Sequence, residues 1–509
     1  MMSTRSDSDS RAGTQPPRPE PLPPDPGSGP PPRLRYLVLG ATALLCVFVI
    51  AAGSATAVLL PRRLARWDVA RVAGGRLATP QRRLAAAGWA GGTGAGAGLA
   101  QGGPTAAGVG AVLGPLLAAP ALGSHVGLLV TSLATGKVLY AQQSAAGFAP
   151  ASTTKLATAV AALHVLGPNA RFTTTVVGGP TPSSVVLVGG GDPTLAGAKF
   201  PAADYPQPAT LAALAARTAK SLRARGRHAV QVGYDTSLYG GPDMGPSWPN
   251  SYVTTGNVTP ISALEIDQGR LTPSGAPDDA DDWQNTRPRS FTPAPEAAQA
   301  FAGFLAADGI QVTGTPVAGA APAGATRLAA VHSPPLAQIV QQMLLESNNV
   351  IAENLARHVA IAKGQPATFS GAAAAEISVL RGLGITGVQI VDGSGLSPAD
   401  RIAPASLVAL IRLASRQDQP RLRAAITGLP VAGFSGTLEP DGSVFAEAGP
   451  AALGVVRAKT GNLDNVAAMA GIAYARDGQL LAFAVMTDKF RSGGLDAAGV
   501  QIARLVTAL

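Results

Sequence analysis

Three short strings constrain this chain more than any other feature: Ser152-Thr153-Thr154-Lys155, Ser347-Asn348-Asn349 and Lys459-Thr460-Gly461. Each supplies a chemical group that the others lack, so the chemistry they suggest requires a fold that brings three distant segments together. Ser152 opens a helical pattern whose apolar stripe is Leu156, Val160 and Leu163. At helical spacing Lys155 falls almost one turn on, beside Ser152 on the same face. A serine hydroxyl is a weak nucleophile until a base takes its proton. A lysine amine can take it once burial or a second cation, here Lys459, depresses its pKa. The helix start also places the Ser152 amide to donate to an oxyanion.

Ser347-Asn348-Asn349 falls between two helical patterns, the second running through Ile351, Leu355 and Val359. There Ser347 is placed to relay a proton to a leaving amine. Asn349 is placed to hold a substrate carbonyl and Lys155 together. Lys459-Thr460-Gly461 follows a strand-like run over 454–458. Lysine and threonine bind a terminal carboxylate by charge and hydroxyl. Gly461 has no side chain to obstruct a substrate lying along the strand edge. Singly, the strings read as a capped helix start, a helix junction and a strand-end turn. In this order they describe an acyl-transfer centre for a substrate that ends in a free carboxylate.

Composition excludes most other chemistry. The single cysteine, Cys46, rules out an intrachain disulfide and a thiolate metal site. The five histidines show no metal-ligand spacing, and no cofactor motif is present. The net charge of +9 suits an anionic surface such as membrane lipid or a cell-wall polymer. Aromatic residues make up only 5% and are not interleaved with the basic ones, so nucleic acid is not an expected partner.

Residues 1–33 are rich in Pro, Ser, Asp and Arg and are expected to be a disordered tail. Residues 34–60 form a transmembrane anchor or signal segment, because 36–60 carry no charge over a length that spans ~30 Å of hydrocarbon. Residues 61–104 read as a basic, Gly/Ala-rich linker. The folded part is expected to begin near Thr105. Its catalytic domain is split into 105–174 and 329–509, with one or two inserted domains over 175–328. Strands are expected at 126–131, 137–142, 466–474 and 479–486, and helices at 209–225, 295–308 and 495–509. Ser333-Pro334 reads as a helix start with cap and first-turn proline. Strands at both ends with helices between predict an α+β fold, an antiparallel sheet packed with helices.

The motif set is similar to that of penicillin-binding proteins and serine β-lactamases. Four further strings narrow the resemblance: Gly189-Gly190-Gly191-Asp192-Pro193-Thr194-Leu195, Tyr234-Asp235-Thr236-Ser237, Asp392-Gly393-Ser394-Gly395-Leu396-Ser397, and the apolar run 467–471. Over about 105–509 the chain resembles the S13 peptidases, the penicillin-binding-protein-4-like D-alanyl-D-alanine carboxypeptidases/endopeptidases. The resemblance implies a penicillin-binding-protein/serine β-lactamase-like fold with a large inserted β-rich region. It implies Ser152 as acylated nucleophile, Lys155 as general base, and Ser347 and Asn349 as the second catalytic element. It implies that Lys459 and Thr460 hold the terminal D-Ala carboxylate and that the Ser152 and Asn462 amides form the oxyanion hole. It also implies that Asp192 helps to recognise the diamino acid of the stem peptide. Peptidoglycan stem peptides are the implied substrates, and β-lactam antibiotics the implied covalent inhibitors. One departure concerns that recognition: the family often has arginine directly after Ser-Gly-Leu-Ser, where this chain has Pro398 and only later Arg401.

Such a substrate lies outside the cytoplasmic membrane, so the catalytic domain is expected there, single-pass anchored or secreted. Arginine counting points the other way, since Arg62, Arg63, Arg66, Arg71 and Arg76 follow the span while Arg33 and Arg35 precede it. Two other readings share these motifs: a β-lactamase-like hydrolase, which needs a carboxylate to position a deacylating water, and a catalytically silent wall-binding scaffold. Glu346 and Glu353 flank the second motif as carboxylates without an assigned role.

Overall fold

A computed structural model describes residues 104–198, 205–271, 287–439, 444–448, 450–475, 477–490 and 494–509. The tail, anchor and nearly all of the linker expected over 1–104 lie outside these residues. Among the described residues no helix is long and apolar enough to cross a membrane.

The described chain opens with helix α1 (Ala106–Leu117) and strands β1 (Val126–Ser132) and β2 (Val138–Gln142). Gly136 turns between these strands at φ +75, a conformation open to glycine at little cost. A single 3₁₀ turn, Ala151–Thr154, then leads into α2 (Lys155–Leu166). The α-helix therefore starts at Lys155 and not at Ser152 as the periodicity predicts. The backbone of Ala151 is left-handed, at φ +46, which tightens the entry to that turn. Every residue of α2 from Lys155 to Leu163 is buried.

A second sheet follows, built from β3 (Thr173–Gly178), β4 (Ser184–Val188), α3 (Leu211–Arg223), β5 (Ala229–Asp235), α4 (Pro293–Ala307), β6 (Gln311–Val312), β7 (Val317–Ala318) and β8 (Arg327–His332). Its strand order is β6-β5-β4-β3-β8, with β7 also beside β5. The β4–β5 pair is parallel, and the connection between these strands carries α3. Leu214, Phe301 and Leu305 of α3 and α4 share a core with Val185, Leu187, Val230 and Val232. The region expected to be β-rich is thus a mixed sheet with two helices packed on it.

The chain then supplies α5 (Leu336–Leu345), α6 (Asn349–Ala362), α7 (Phe369–Gly382), α8 (Pro404–Ser415), β9 (Val456–Leu463), β10 (Val466–Tyr474), β11 (Leu480–Thr487) and α9 (Leu495–Thr507). Ser333 does not cap α5. It is fully buried, its hydroxyl accepts the Phe172 N–H at 2.9 Å, and the helix starts after Pro335. The main sheet has the order β9-β10-β11-β1-β2 and is antiparallel throughout.

This sheet is covered on both faces. Along β10, Ala468, Ala470 and Ile472 join the core formed with α2, α5, α6, α7 and α8. Ala467, Met469 and Ala473, at the alternate positions, join the core formed with α1 and α9. That explains the unbroken apolar run of β10, since neither face meets water. The result is an α+β architecture of one antiparallel sheet between two helical layers, with β9 at an edge.

Candidate active site

The three strings meet where the nucleophile turn, the start of α6 and the edge strand β9 converge. A cleft of about 410 Å³ is lined there by Ser152, Ser347, Asn349, Thr460 and Asn462, with Tyr252, Asn257 and Arg270 on the side of the inserted region. Lys155 sits behind this wall, fully buried. Its Nζ donates to Ser152 Oγ at 2.8 Å, Asn349 Oδ1 at 2.7 Å and the Ser394 carbonyl at 2.8 Å. These three acceptors fix the amine beside the serine hydroxyl.

Burial lowers the Lys155 pKa from 10.5 to about 7, against the opposing attraction of Asp392 and Glu353. At neutral pH a large fraction of this amine is therefore an unprotonated base. Desolvation is the main cause of this fall. The second buried amine lies close by: Lys459 is held well below the ordinary lysine range by burial and by the charge of Lys155. Lys459 is fully buried and donates to the Thr460 carbonyl at 2.9 Å. Thr460, next along β9, faces the cleft, with its hydroxyl 3.3 Å from that of Thr437.

One residue of the strings, and one beside them, hold strained backbones. Ser347 is left-handed at φ +60, as is Ala151 just before the nucleophile. Such conformations persist only where the surroundings over-determine them. Asn348 helps to do so at the second string: its Oδ1 caps α6 by accepting the Ile351 N–H at 3.1 Å, and its Nδ2 donates to Gln268 Oε1 at 2.6 Å. Ser347 itself lines the cleft. Asn349 is tied to the inserted region as well, its Nδ2 donating to the Asn257 carbonyl at 2.9 Å.

Gly461 has a stronger reason to be glycine than an open strand edge. A Cβ there would lie 2.6 Å from the Pro150 carbonyl oxygen and 3.1 Å from both the Ala151 Cβ and the Ser152 nitrogen. The edge strand thus packs directly on the nucleophile turn. Asn462, the next residue, is exposed at the cleft.

The structure does not bring Asp192 into this wall. Its carboxylate is buried, with Oδ1 accepting the Thr194 N–H and hydroxyl at 2.9 and 2.6 Å. Burial pushes its pKa up to about 6. Nearby, Tyr239 donates to Asn354 Oδ1 at 2.9 Å, and Asn354 Nδ2 donates to Glu265 at 3.0 Å, where burial raises the carboxyl to about 8. Arg401 is exposed and donates to the Pro398 and Asp400 carbonyls.

The string from Asp392 to Ser397 is inside the protein and supports Lys155 from behind. Asp392 accepts the N–H groups of Gly395 and Ser397 at 2.6 and 2.8 Å and the Trp248 indole N–H at 2.9 Å. Gly395 is left-handed at φ +82, and a Cβ would come within 1.9 Å of the Ala151 carbonyl oxygen. Sequence reasoning missed Asn257 and Thr158 as members of the site, and named Glu353 beside the second string without a role. The apolar periodicity of 351–359, which puts Glu353 on a helix packed from several sides, was the one sign that it is buried.

The profile of the D-Ala-D-Ala carboxypeptidase 3 (S13) family matches residues 110–285 and 275–507. Carboxypeptidase DacB of Mycolicibacterium smegmatis is 39% identical over 389 residues, covering 76% of this chain and 81% of its own. Carboxypeptidase Rv3627c of Mycobacterium tuberculosis is 40% identical over 404 residues, covering 77% and 82%. In fold, the chain is similar to penicillin binding protein 4 (dacB) of Haemophilus influenzae, with a TM-score of 0.61 at 23% identity over 78% of this chain and 97% of that one. With three-quarters of the chain matched at this level, the protein belongs to the D-Ala-D-Ala carboxypeptidase 3 (S13) family.

Proposed function

We propose that the protein is a serine-type D-Ala-D-Ala carboxypeptidase acting on peptidoglycan stem peptides, with DD-endopeptidase activity where a cross-bridge amine takes the place of D-Ala. The observation that carries the reading is the 2.8 Å hydrogen bond between Ser152 Oγ and a fully buried Lys155 amine whose pKa has fallen to about 7. Neutral Lys155 takes the Ser152 proton as Oγ attacks the penultimate D-Ala carbonyl. The Ser152 and Asn462 amides stabilise the oxyanion. Ser347 passes the proton to the departing amine, the C–N bond breaks, and D-Ala leaves. Water then cleaves the Ser152 ester. Thr460 binds the terminal carboxylate at the cleft wall, and Lys459 stabilises it from behind with a proton that the bound anion helps it to keep.

A β-lactam acylates the same oxygen; the Haemophilus influenzae relative has been solved complexed with a β-lactam. The test is intact-mass labelling with penicillin. The wild-type protein should gain one adduct and folded Ser152→Ala none, and an adduct on the alanine variant removes Ser152 from the role. Slow hydrolysis of the adduct favours the peptidase, and rapid turnover the β-lactamase.

The substrate also bears on location. The uncharged 36–60 segment and the extracytoplasmic position of peptidoglycan support a single-pass anchor with 61–509 outside, or a secreted domain if the segment is cleaved. Protease added to wall-stripped cells should then degrade the catalytic domain. Protection until the membrane is permeabilised would overturn the orientation and the substrate with it.

A further inference from the structure

Lys155 needs more than burial to work as a base. A lysine side chain has several rotatable bonds, and its amine must point at one oxygen. Two of its three acceptors, Ser152 Oγ and Asn349 Oδ1, are themselves side chains at the cleft wall. The third, the Ser394 carbonyl, belongs to backbone inside the protein. What holds that backbone decides where the amine points.

The loop is clamped peptide by peptide. The Ser394 carbonyl accepts from Lys155, and the N–H of the same peptide unit, on Gly395, donates to Asp392 at 2.6 Å. The preceding unit repeats the arrangement. Its carbonyl, on Gly393, accepts from the Thr158 hydroxyl at 2.7 Å, and its N–H, on Ser394, donates to Glu353 Oε1 at 2.7 Å. Glu353 Oε2 takes the next N–H back, on Gly393, at 3.2 Å. Lys155 and Thr158 are three residues apart on α2, so one face of α2 meets two successive carbonyls. Two carboxylates hold the N–H groups on the other side. Each hydrogen bond in such a chain polarises the next.

Glu353 is 1% exposed, and its carboxylate is directed at this loop, not at the cleft. It is one turn along α6 from Asn349, which touches Lys155 directly. We propose that Glu353 is a positioning residue for the Lys155 base, gripping by its N–H groups the loop whose Ser394 carbonyl grips the amine. The inference rests on the reading of Lys155 as general base. It also distinguishes Glu353 from a carboxylate that positions a deacylating water.

Glu353 acts on the amine by charge as well as by position. The groups facing this pocket are Lys155 from α2, Glu376 from α7, Asp392 and Asp400 from the loop, Arg357 from α6 itself, and Lys459 from β9. Burial raises Glu376 well above the ordinary glutamate range, and it raises Asp400 to about 9, so Asp400 is a neutral acid near pH 7. Glu353 itself is raised to about 7 by burial and by Asp392. When ionised, it favours the protonated form of Lys155. Removing its charge therefore makes Lys155 a base at lower pH.

The test is the rate of penicillin acylation against pH for the full-length chain. Glu353→Gln keeps an oxygen for the strong Ser394 bond but removes the charge, and the acid limb should move down by roughly 0.5–1 pH unit. Glu353→Asp keeps the charge but is one methylene short of the loop. Its acylation rate on the plateau should fall ~10-fold or more, because small displacements of reacting groups are costly. A purely structural glutamate would lower thermal stability in both variants while leaving the wild-type acid limb in place. An unshifted limb in Glu353→Gln together with full acylation by folded Glu353→Asp overturns the inference. Absence of labelling in the wild-type protein overturns instead the base reading on which it rests.

Discussion

Substitution of Gly461 by alanine tests whether the edge strand sets the position of the nucleophile. The added methyl group would lie 2.6 Å from the Pro150 carbonyl oxygen, where ordinary contact begins at 3.4 Å. Strand and turn must therefore separate by about 0.8 Å. Neither side gives easily. The Pro150 oxygen is held by the Thr153 N–H at 3.2 Å and the Thr153 hydroxyl at 2.7 Å. Strand β9 is held by β10 in register from Val456↔Ala473 to Leu463↔Val466. Alanine is otherwise tolerable in an extended strand, so the effect is steric and local. Overpacking of this kind costs about 1–3 kcal/mol in stability. A shift approaching 1 Å between Ser152 and the Thr460 side of the cleft should lower the second-order rate of acylation about 10- to 100-fold. Stopped-flow acylation with a fluorescent penicillin, alongside thermal unfolding, measures both. A Gly461→Ala protein that acylates at the wild-type rate would refute the packing of β9 on the nucleophile turn as the element that positions Ser152.

The wild-type acylation rate should rise with pH through about 7 and level off above it, because only unprotonated Lys155 is a base and its pKa is lowered to that value; a flat profile between pH 5.5 and 8.5 would contradict the role of the amine. Lys459→Ala should reduce turnover of a peptide with a free C-terminal carboxylate at least ~10-fold more than that of its C-terminal amide, since only the anion gains from the ammonium charge. Equal proportional losses on the two peptides would remove Lys459 from carboxylate recognition.

Much of this site was legible because helical and strand periods tie neighbours together. Ser152 and Lys155 are one helical turn apart, and Lys459 to Gly461 run along a strand, so their local geometry follows from spacing. The strands at 466–474 and 479–486 were legible from apolar runs bounded by a turn, within one residue of β10 and β11. The start of α2 was not, because the left-handed Ala151 and the 3₁₀ turn are imposed by packing against Gly395 and Gly461. Asp192 and the 392–397 loop were legible as motif residues but not as buried ones. Burial of a carboxylate depends on partners remote in sequence, such as Trp248 for Asp392. Gly461 was legible as a strand-edge glycine, but its contact with the nucleophile turn was not, since a strand seen alone gives no hint of the turn lying against it.

The placement of Glu353 has a consequence for how the two parts of the chain cooperate. Helix α6 carries Asn349 and Glu353 on the side of Lys155, and Asn354 and His358 on the side of the inserted region. His358 Nε2 lies 2.9 Å from the Gly191 carbonyl, and its ring stacks on Phe172 at 3.8 Å; burial holds it neutral, near a pKa of about 4, so this N–H donates to that carbonyl. Arg357, between them, donates to the Gly240 and Ala367 carbonyls and lies over the Phe369 ring at 4.3 Å. The inserted region therefore does more than border the cleft through Tyr252 and Asn257. It fixes the rotation and height of α6 by buried polar contacts, and α6 in turn fixes Lys155 by one side-chain contact and one backbone loop. Because these contacts are buried and hydrogen-bonded, leaving any of them unpaired costs about 1–3 kcal/mol. A rigid α6 follows, and with it an amine base whose direction is set before substrate arrives, as a catalytic group acting by proximity requires.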